Sequence, residues 1–383
     1  MRVLLAGDTG FGESYRVRER SKGRVDPIAV SGYGHALAGV DPLLAAADLT
    51  IVNLETPLIE ADHPDAVAAD KRYVHWSDGR RTAAVLARRG VTAVSLGNNH
   101  AADQGLGGLR HTLATLSRFG IETIGAGLHE AEATRPFRRQ LEIGVTRVSL
   151  SVLGGKQRWR ANDPEPFARD AAGGLNGWKR RRAGAQVAAE RALNPDAFIV
   201  AFPHWGSNYR RRARRQERLA HTLIDAGADL VVGHGAHMLQ GIEQYRGRWI
   251  VYGLGNFVFA SPGRFQKVEE AIPYGGVAML ELTTEEGGGV GAQLRLFPIL
   301  VDNRVTGYRP RPVDDAEMNT LLADLRDRSP RDTHPALAAT AGDLGPHVVL
   351  PIGTMPAGGI VRSARTLVPV RDTAASASLR TAS

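Results

Sequence analysis

The 383-residue chain contains no cysteine. That absence excludes disulfides, thiolate metal sites and a cysteine nucleophile, and leaves the redox compartment open. Lysine is scarce as well: 5 of the 48 cationic residues are lysine, so 43 are arginine. Aromatic residues make up only 6%, and no apolar run approaches the roughly 20 residues that cross a bilayer. The opening MRVLLAGDTG runs straight into a Gly-Asp turn, without the apolar core and cleavage site of a signal peptide. A cytoplasmic protein with no membrane span is the expectation. With 43% hydrophobic and 23% charged side chains, the chain has the composition of a folded globular protein, not a disordered one.

The net charge is +8. The clusters Lys179–Arg182 and Arg210, Arg211, Arg212, Arg214, Arg215, Arg218 read either as solvated faces or as a rim for a carboxylate- or phosphate-rich partner, which guanidinium grips bidentately. Neither cluster is interleaved with aromatics or set in a nucleic-acid module, so nucleic acid is not an expected partner.

The first part of the chain alternates strand and helix. Strands are expected at Arg2–Ala6, Leu49–Val52, Val91–Leu96 and Ile121–Ile124. Helices are expected from Asp41 to Ala47, Thr82 to Arg89 and Leu106 to Phe119. Such alternation predicts a largely parallel, buried sheet. Further strands are expected at Val145–Leu153, Phe198–Phe202 and Leu230–Val232, with a helix at Glu217–Ala226 and a long loop over Gly154–Gly177. Arg246-Gly247 between two apolar runs is a hairpin signal. Phe257–Phe259, Ala278–Leu282 and Ala292–Leu300 add strands. Residues 1–308 read as the catalytic domain. Residues 309–383 read as an extension with a helix at Asp315–Leu325 and an Ala/Ser/Thr-rich tail from 366.

Strand ends are where α/β folds place their sites, and five successive strands here stop on metal-competent residues. They end at Asp8, at Asn53-Leu54-Glu55, at Asn98-Asn99-His100, at His204-Trp205 and at His234 through His237. Carboxylate, carboxamide and imidazole together suit Mn²⁺, Fe²⁺ or Zn²⁺ better than Ca²⁺ or a thiophilic ion. Six candidates, Asp8, Glu55, Asn99, His204, His234 and His237, exceed the needs of one tetrahedral ion, so one or two divalent ions are expected. Gly253-Leu254-Gly255 lacks the strand–helix setting of a dinucleotide loop. His63, His75, His111, His129, His221, His334 and His347 lie outside these motifs and read as surface or structural residues.

The motifs GDTGFGE, NLETPL, GNNHAADQG, HWGSNY, GHGAHMLQGIEQYRG and IVYGLGNFVF, in this order, resemble the CapA/PgsA family of poly-γ-glutamate-associated proteins, itself similar in fold to calcineurin-like metallophosphoesterases. The resemblance covers roughly residues 1–305. It implies an α/β fold, a four-layer αββα sandwich of two mixed β-sheets. It also implies that Asp8 binds one metal with His237, that Glu55 bridges, and that Asn99, His204 and His234 hold the second, with His100 as an acid/base. Two departures stand out. Asp8-Thr9-Gly10 lacks the third-position histidine of metallophosphoesterases, and Asn53-Leu54-Glu55 stands where they carry Gly-Asp-x-x-Asp. Glu13 and Asn208 also stand where CapA-like chains tend to carry Arg and Glu. Extracellular members begin with a membrane anchor, whereas this chain begins at its first strand.

Three functions follow from the resemblance. The foremost expectation is metal-assisted Cα epimerisation (L to D) of a peptide residue in peptide natural-product tailoring. His100 would be one base, and Asp103, Glu13 or His35 the second. The peptide would be acidic or carry a free C-terminal carboxylate. Asn53, Asn98, Trp205, Arg210 and Arg211 are candidate substrate-binding residues. The alternatives are a metal-dependent hydrolase, acting on phosphoesters or γ-glutamyl amides, and a non-catalytic assembly protein of polyglutamate synthesis.

Overall fold

The computed structural model describes residues 1–60, 71, 73–159, 163, 165–286 and 288–355. Fourteen strands and six helices carry the architecture. The strands are β1 (Arg2–Gly10), β2 (Leu49–Leu54), β3 (Val91–Ser95), β4 (Glu122–Ile124), β5 (Phe137–Ile143), β6 (Thr146–Gln157), β7 (Phe198–His204), β8 (Leu230–Val232), β9 (Ile242–Tyr245), β10 (Arg248–Val251), β11 (Asn256–Phe259), β12 (Tyr274–Thr284), β13 (Val290–Leu300) and β14 (His347–Met355). The helices are α1 (Glu13–Arg20), α2 (Gly79–Arg88), α3 (Gly105–Arg118), α4 (Arg180–Leu193), α5 (Arg214–Asp225) and α6 (Asp315–Arg328).

The first sheet runs β14-β13-β12-β1-β2-β3-β4. β1 to β4 are mutually parallel, and β12, β13 and β14 join in antiparallel fashion. One edge of β1 is shared: β12 pairs along Arg2–Ala6, and β11 runs parallel beside Asp8–Gly10. The second sheet orders β6-β7-β8-β10 in parallel, with β5 antiparallel on β6 and β9 antiparallel on β10.

The two-residue period of a strand assigns its side chains to layers. Val3 and Leu5 of β1 and Ile51 of β2 face Val152, Phe198, Val200, Phe202 and Val232 of the other sheet, forming the inter-sheet core. Their neighbours Leu4, Ala6, Val52 and Leu54 face outward onto Ala83 and Leu86 of α2 and Leu109, Leu113 and Leu116 of α3. On the far side, Ile199, Ala201 and Val231 pack on Ala183 and Val187 of α4 and Leu219, Ala220 and Leu223 of α5. The result is the four-layer αββα sandwich of two mixed sheets. Each fully buried Val, Leu, Ile or Phe among these side chains contributes about 1.5–3 kcal/mol.

Two features differ from the sequence expectations. β6 runs past Leu153 to Gln157, into the stretch expected as loop. Gly155 permits this, because a Cβ there would lie 2.6 Å from the Trp178 ring. Residues 309–355 join the same body: α6 places Met318, Leu321 and Leu325 in the inter-sheet core, and β14 extends the first sheet. The Ala/Ser/Thr-rich tail lies outside the described residues. Among the described residues, no helix is long and apolar enough to cross a membrane.

Candidate metal centre

The parallel strands of the two sheets deliver their carboxyl ends to one rim. β1 brings Asp8, β2 leads to Glu55, β3 to Asn99 and His100, β7 ends on His204, and His234 and His237 follow β8. His204 and His234 form an isolated β-bridge, which holds the two imidazole-bearing turns together. Two glycines make the approach possible. A Cβ on Gly7 would sit 1.9 Å from the Gly255 carbonyl oxygen, the group that accepts the Asp8 N–H at 2.8 Å. Gly235 has φ +105 and would press a Cβ to 2.8 Å from the His204 ring, a backbone state that favours glycine. His237 itself is held at φ +60, unusual for a non-glycine residue and typical of constrained sites.

Two groups of donor atoms share Asp8. One is Asp8, His204 and His234, the other Asp8, Glu55 and His237; within each group the donor atoms all lie within 4.8 Å of one another, and all five residues are buried. His204 Nδ1 lies 3.1 Å from His234 Nδ1, and His234 Nδ1 lies 3.7 Å from Asp8 Oδ1. His237 Nδ1 lies 3.1 Å from Asp8 Oδ2 and 3.9 Å from Glu55 Oε2. Ligand atoms bound about 2.1 Å from one cation stand about this far apart. The His204 Nε2–H donates to Asn99 Oδ1 at 2.6 Å, which leaves Nδ1 as the free lone pair facing His234.

The remaining polarity also fits a cation. Asp8 Oδ2, Glu55 Oε2 and His234 Nε2 are buried and have no hydrogen-bond partner among the described residues; leaving such atoms unpaired is costly. Burial pushes the Asp8 carboxyl up, but the neighbouring His234 and His237 imidazoles outweigh it and hold Asp8 well below the usual range. Burial, reinforced by the Asp8 charge, drives Glu55 well up. Burial also lowers His204 and His234, keeping both imidazoles neutral, the form that binds metals.

A second cluster, His75, His100 and Asp103, adjoins the first. The His100 Nδ1–H donates to Asp103 Oδ2 at 2.7 Å, so the lone pair on Nε2 is the one facing Glu55 Oε1, 4.0 Å away. His75 stacks on His100 with centroids 3.6 Å apart and planes 2° apart. Its Nδ1–H donates to the Glu55 carbonyl at 3.2 Å, and its Nε2 accepts the Tyr15 hydroxyl at 2.8 Å. Both rings are pushed down by burial. Asp103 is held low: burial opposes this, and the His100 and Lys71 interactions prevail.

The other residues expected at the site separate into supports and outliers. Asn53 Nδ2 donates to Asp8 Oδ1 at 2.9 Å, and Asn98 Nδ2 to Asn53 Oδ1 at 3.0 Å, so these two amides brace the ligand set. Trp205 is buried with its indole N–H on the Tyr252 carbonyl at 2.6 Å. Arg210 and Arg211 are exposed and engage Glu270 and Asp327. Glu13 is buried against Arg16, Ser77 and the Asp78 backbone, and burial raises its carboxyl. His35 bonds the Gly307 carbonyl at 2.9 Å. His63 lies outside the described residues.

Sequence reasoning overlooks His75, expected as a surface or structural residue, as well as Asn256, Lys71 and Lys156. His75 sits in no strand-end motif, and only folding brings it under His100. Asn256 pairs in register with Asp8, and its side-chain Oδ1 lies 3.0 Å from His237 Nδ1. Lys156 closes the Gly-Gly-Lys end of β6 opposite His204, a strand-end signal hidden by the two glycines.

The chain is similar in sequence to known proteins. The chain is 31% identical over 224 residues to PGA biosynthesis protein CapA of Bacillus subtilis, covering 57% of this chain and 55% of that one. It is 32% identical over 259 residues to a probable polyglutamine synthesis accessory protein of Mycobacterium tuberculosis, covering 63% and 64% respectively. The chain thus spans little more than half the length of such relatives. Among solved structures, a Staphylococcus aureus protein described as a candidate 5'-nucleotidase, crystallised with alpha-ketoglutarate, superposes with TM-score 0.49 at 14% identity, covering 85% of this chain and 58% of that one. Residues 2–261 match the family described as bacterial capsule synthesis protein PGA_cap, and the chain belongs to that family.

Proposed function

We propose that the protein is a divalent-metal-binding accessory component of glutamate-polymer synthesis, which binds an acidic γ-glutamyl chain at the strand-end rim. The observation that carries this reading is the spacing of Asp8, His204 and His234 donors around one point, with buried unpaired atoms beside them. The names of its relatives support the accessory role more directly than they support epimerisation. Asp8, His204 and His234 would hold one cation, Mn²⁺, Fe²⁺ or Zn²⁺, and Asp8, Glu55 and His237 a second. When bound, a cation there supplies Lewis-acid polarisation of a carboxylate or amide oxygen.

A second reading is favoured by one arrangement, the His100–Asp103 pair. Asp103 fixes the His100 tautomer, and the free Nε2 faces the ligand set. That is the orientation in which an imidazole takes a proton from a bound substrate. On this reading the protein exchanges a Cα proton, as an epimerase does, or assists hydrolysis of a γ-glutamyl amide. His100 is the proton-handling residue; Asp103 positions it, which leaves no second base on the opposite face from Asp103 itself.

The test is incubation of metal-loaded protein with oligo-γ-glutamate in D₂O, followed by mass spectrometry and binding measurements. The accessory role expects metal-dependent binding with the chain unchanged in length and mass. One added mass unit per modified residue signals proton exchange, and fragments signal hydrolysis. Purified protein that binds neither divalent metal nor the oligomer refutes the proposal.

A further inference from the structure

Two of the five lysines, Lys71 and Lys156, converge on a single carboxylate beside the metal-ligand set. Lys156 is 8% exposed and stands in register with His204, near the end of β6. Its ammonium lies 3.2 Å from Glu165 Oε2 and 3.8 Å from Asp163 Oδ2. Lys71 lies 3.9 Å from Glu165 Oε1, bonds Asp103 Oδ1 at 2.7 Å, and donates to the Asn99 carbonyl. The Asp103 carboxylate bonded by Lys71 also holds His100, whose Nε2 lies 4.0 Å from Glu55 Oε1. An anion held between the two ammonium groups is therefore adjacent to the metal ligands.

The two sides of this contact are held unequally. Lys156 is fixed by the sheet, with its backbone N–H on the Asn176 carbonyl at 2.9 Å. Glu165 stands outside any strand or helix, is 9% exposed, and its Oε2 makes no hydrogen bond among the described residues. A carboxylate so placed gains ion pairing but leaves hydrogen-bonding capacity unused. Ammonium groups suit exchange: each is a compact charge with rotatable donors and needs no planar fork to match a new partner. In a chain that uses arginine for nearly all other cations, lysine at both positions is consistent with that requirement.

We propose that Lys156 and Lys71 form a carboxylate-binding subsite of the metal centre. Glu165 fills it in the free protein, and a carboxylate of an acidic γ-glutamyl chain takes the place of Glu165. The subsite rests on the reading of such a chain as the ligand, and it deepens that reading by naming the residues that select for acid groups.

The experiment is calorimetric titration of the full-length, Mn²⁺-loaded protein with a synthetic γ-linked glutamate oligomer, at physiological salt. Removing the internal competitor in Glu165→Gln tightens binding about threefold or more, whereas Lys156→Gln weakens it about tenfold, the scale of one charged hydrogen bond. Glu269→Gln, an exposed acid elsewhere, leaves affinity unchanged because exposed charges are screened beyond about 8 Å. If Lys156→Gln leaves Glu165 too poorly paired to fold, the double variant Lys156→Gln/Glu165→Gln removes both charges and binds about tenfold more weakly than Glu165→Gln alone. Wild-type binding with unchanged affinity in all variants overturns the subsite and leaves the proposed ligand standing. A Glu165→Gln variant that binds more weakly than wild type also overturns it, since the contact is then purely structural. A wild-type protein that does not bind the oligomer overturns both.

Discussion

Stripping divalent cations from the protein should lower its thermal stability, and the size of the loss follows from the site. Asp8 Oδ2, Glu55 Oε2 and His234 Nε2 are buried without hydrogen-bond partners among the described residues. Each such atom costs about 1–3 kcal/mol when nothing satisfies it. A ligand that binds only the folded state at a hundred times its dissociation constant adds about 2.7 kcal/mol. In a chain of 383 residues each kcal/mol moves the melting temperature by about 1.2 °C, so saturation with Mn²⁺ should raise it by about 3 °C over protein kept in chelator. Differential scanning calorimetry on the two forms measures the shift. Asp8→Asn and His234→Ala should abolish it, because each removes a member of the Asp8–His204–His234 group. Arg211→Ala, on the exposed Asp327 pair, should keep it. Equal melting temperatures with and without metal, at concentrations where Mn²⁺, Fe²⁺ and Zn²⁺ have each been offered, refute the assignment of these residues as ligands.

Two further outcomes test particular contacts. Asp26 caps the helix Pro27–Ser31 and accepts from Arg16 Nε at 2.9 Å. Burial opposes its ionisation, but the Arg16 hydrogen bonds prevail and hold it below the ordinary value of 3.8. Its stabilisation is thus complete above that value and is lost as pH falls through the lower folded one. Asp26→Asn should cost about 1–3 kcal/mol at neutral pH and flatten the acid limb of a denaturation profile; an unchanged profile removes the pair as a contributor. Trp205→Phe should lower stability by about 1–3 kcal/mol, since the buried Tyr252 carbonyl loses its donor. It should leave oligo-γ-glutamate affinity unchanged in the same titration; a loss of affinity without a loss of stability returns Trp205 to the ligand.

Much of this architecture is legible because parallel strands buried on both faces read as apolar runs. The ends of those runs name the proposed ligands: Asp8, Glu55, His204, His234 and His237 all follow an expected strand and converge. The Arg246-Gly247 hairpin is legible for a local reason, with φ of 49 and 73 at the two turn residues as a tight hairpin turn requires. What escapes sequence reading has equally specific causes. α4 opens with three arginines, which hide the apolar positions Ala183 and Val187. β14 carries Pro351 and Gly353, residues that signal a loop, yet they pair with β13 where its register shifts between Ala292 and Gln293, and such irregularities tolerate proline. His75 carries no local pattern at all. It becomes a site residue only because its backbone N–H meets Asp103 Oδ2 at 2.7 Å while its ring stacks on His100.

The departure at Gly10 bears on which chemistry the centre can support. A Cβ at Gly10 would make only ordinary contact with Thr56 and Phe259, at 3.4 Å and 3.6 Å, so it is the glycine itself that leaves no imidazole where metallophosphoesterase motifs carry one. The Asp8–Glu55–His237 group therefore has three side chains to offer, and one of them, His237, also engages Asn256. The Asp8–His204–His234 group has its lone pairs already directed at one another, with Asn99 fixing His204. The two groups should differ in affinity, the second binding a cation more tightly. Phosphoryl transfer by a two-ion clamp draws on both ions together, and that demand weighs against a phosphoesterase role for this chain. Binding a carboxylate, or stabilising charge next to a proton held by His100, draws on only one. The same asymmetry that weakens the phosphatase comparison is compatible with an accessory protein that grips an acidic polymer.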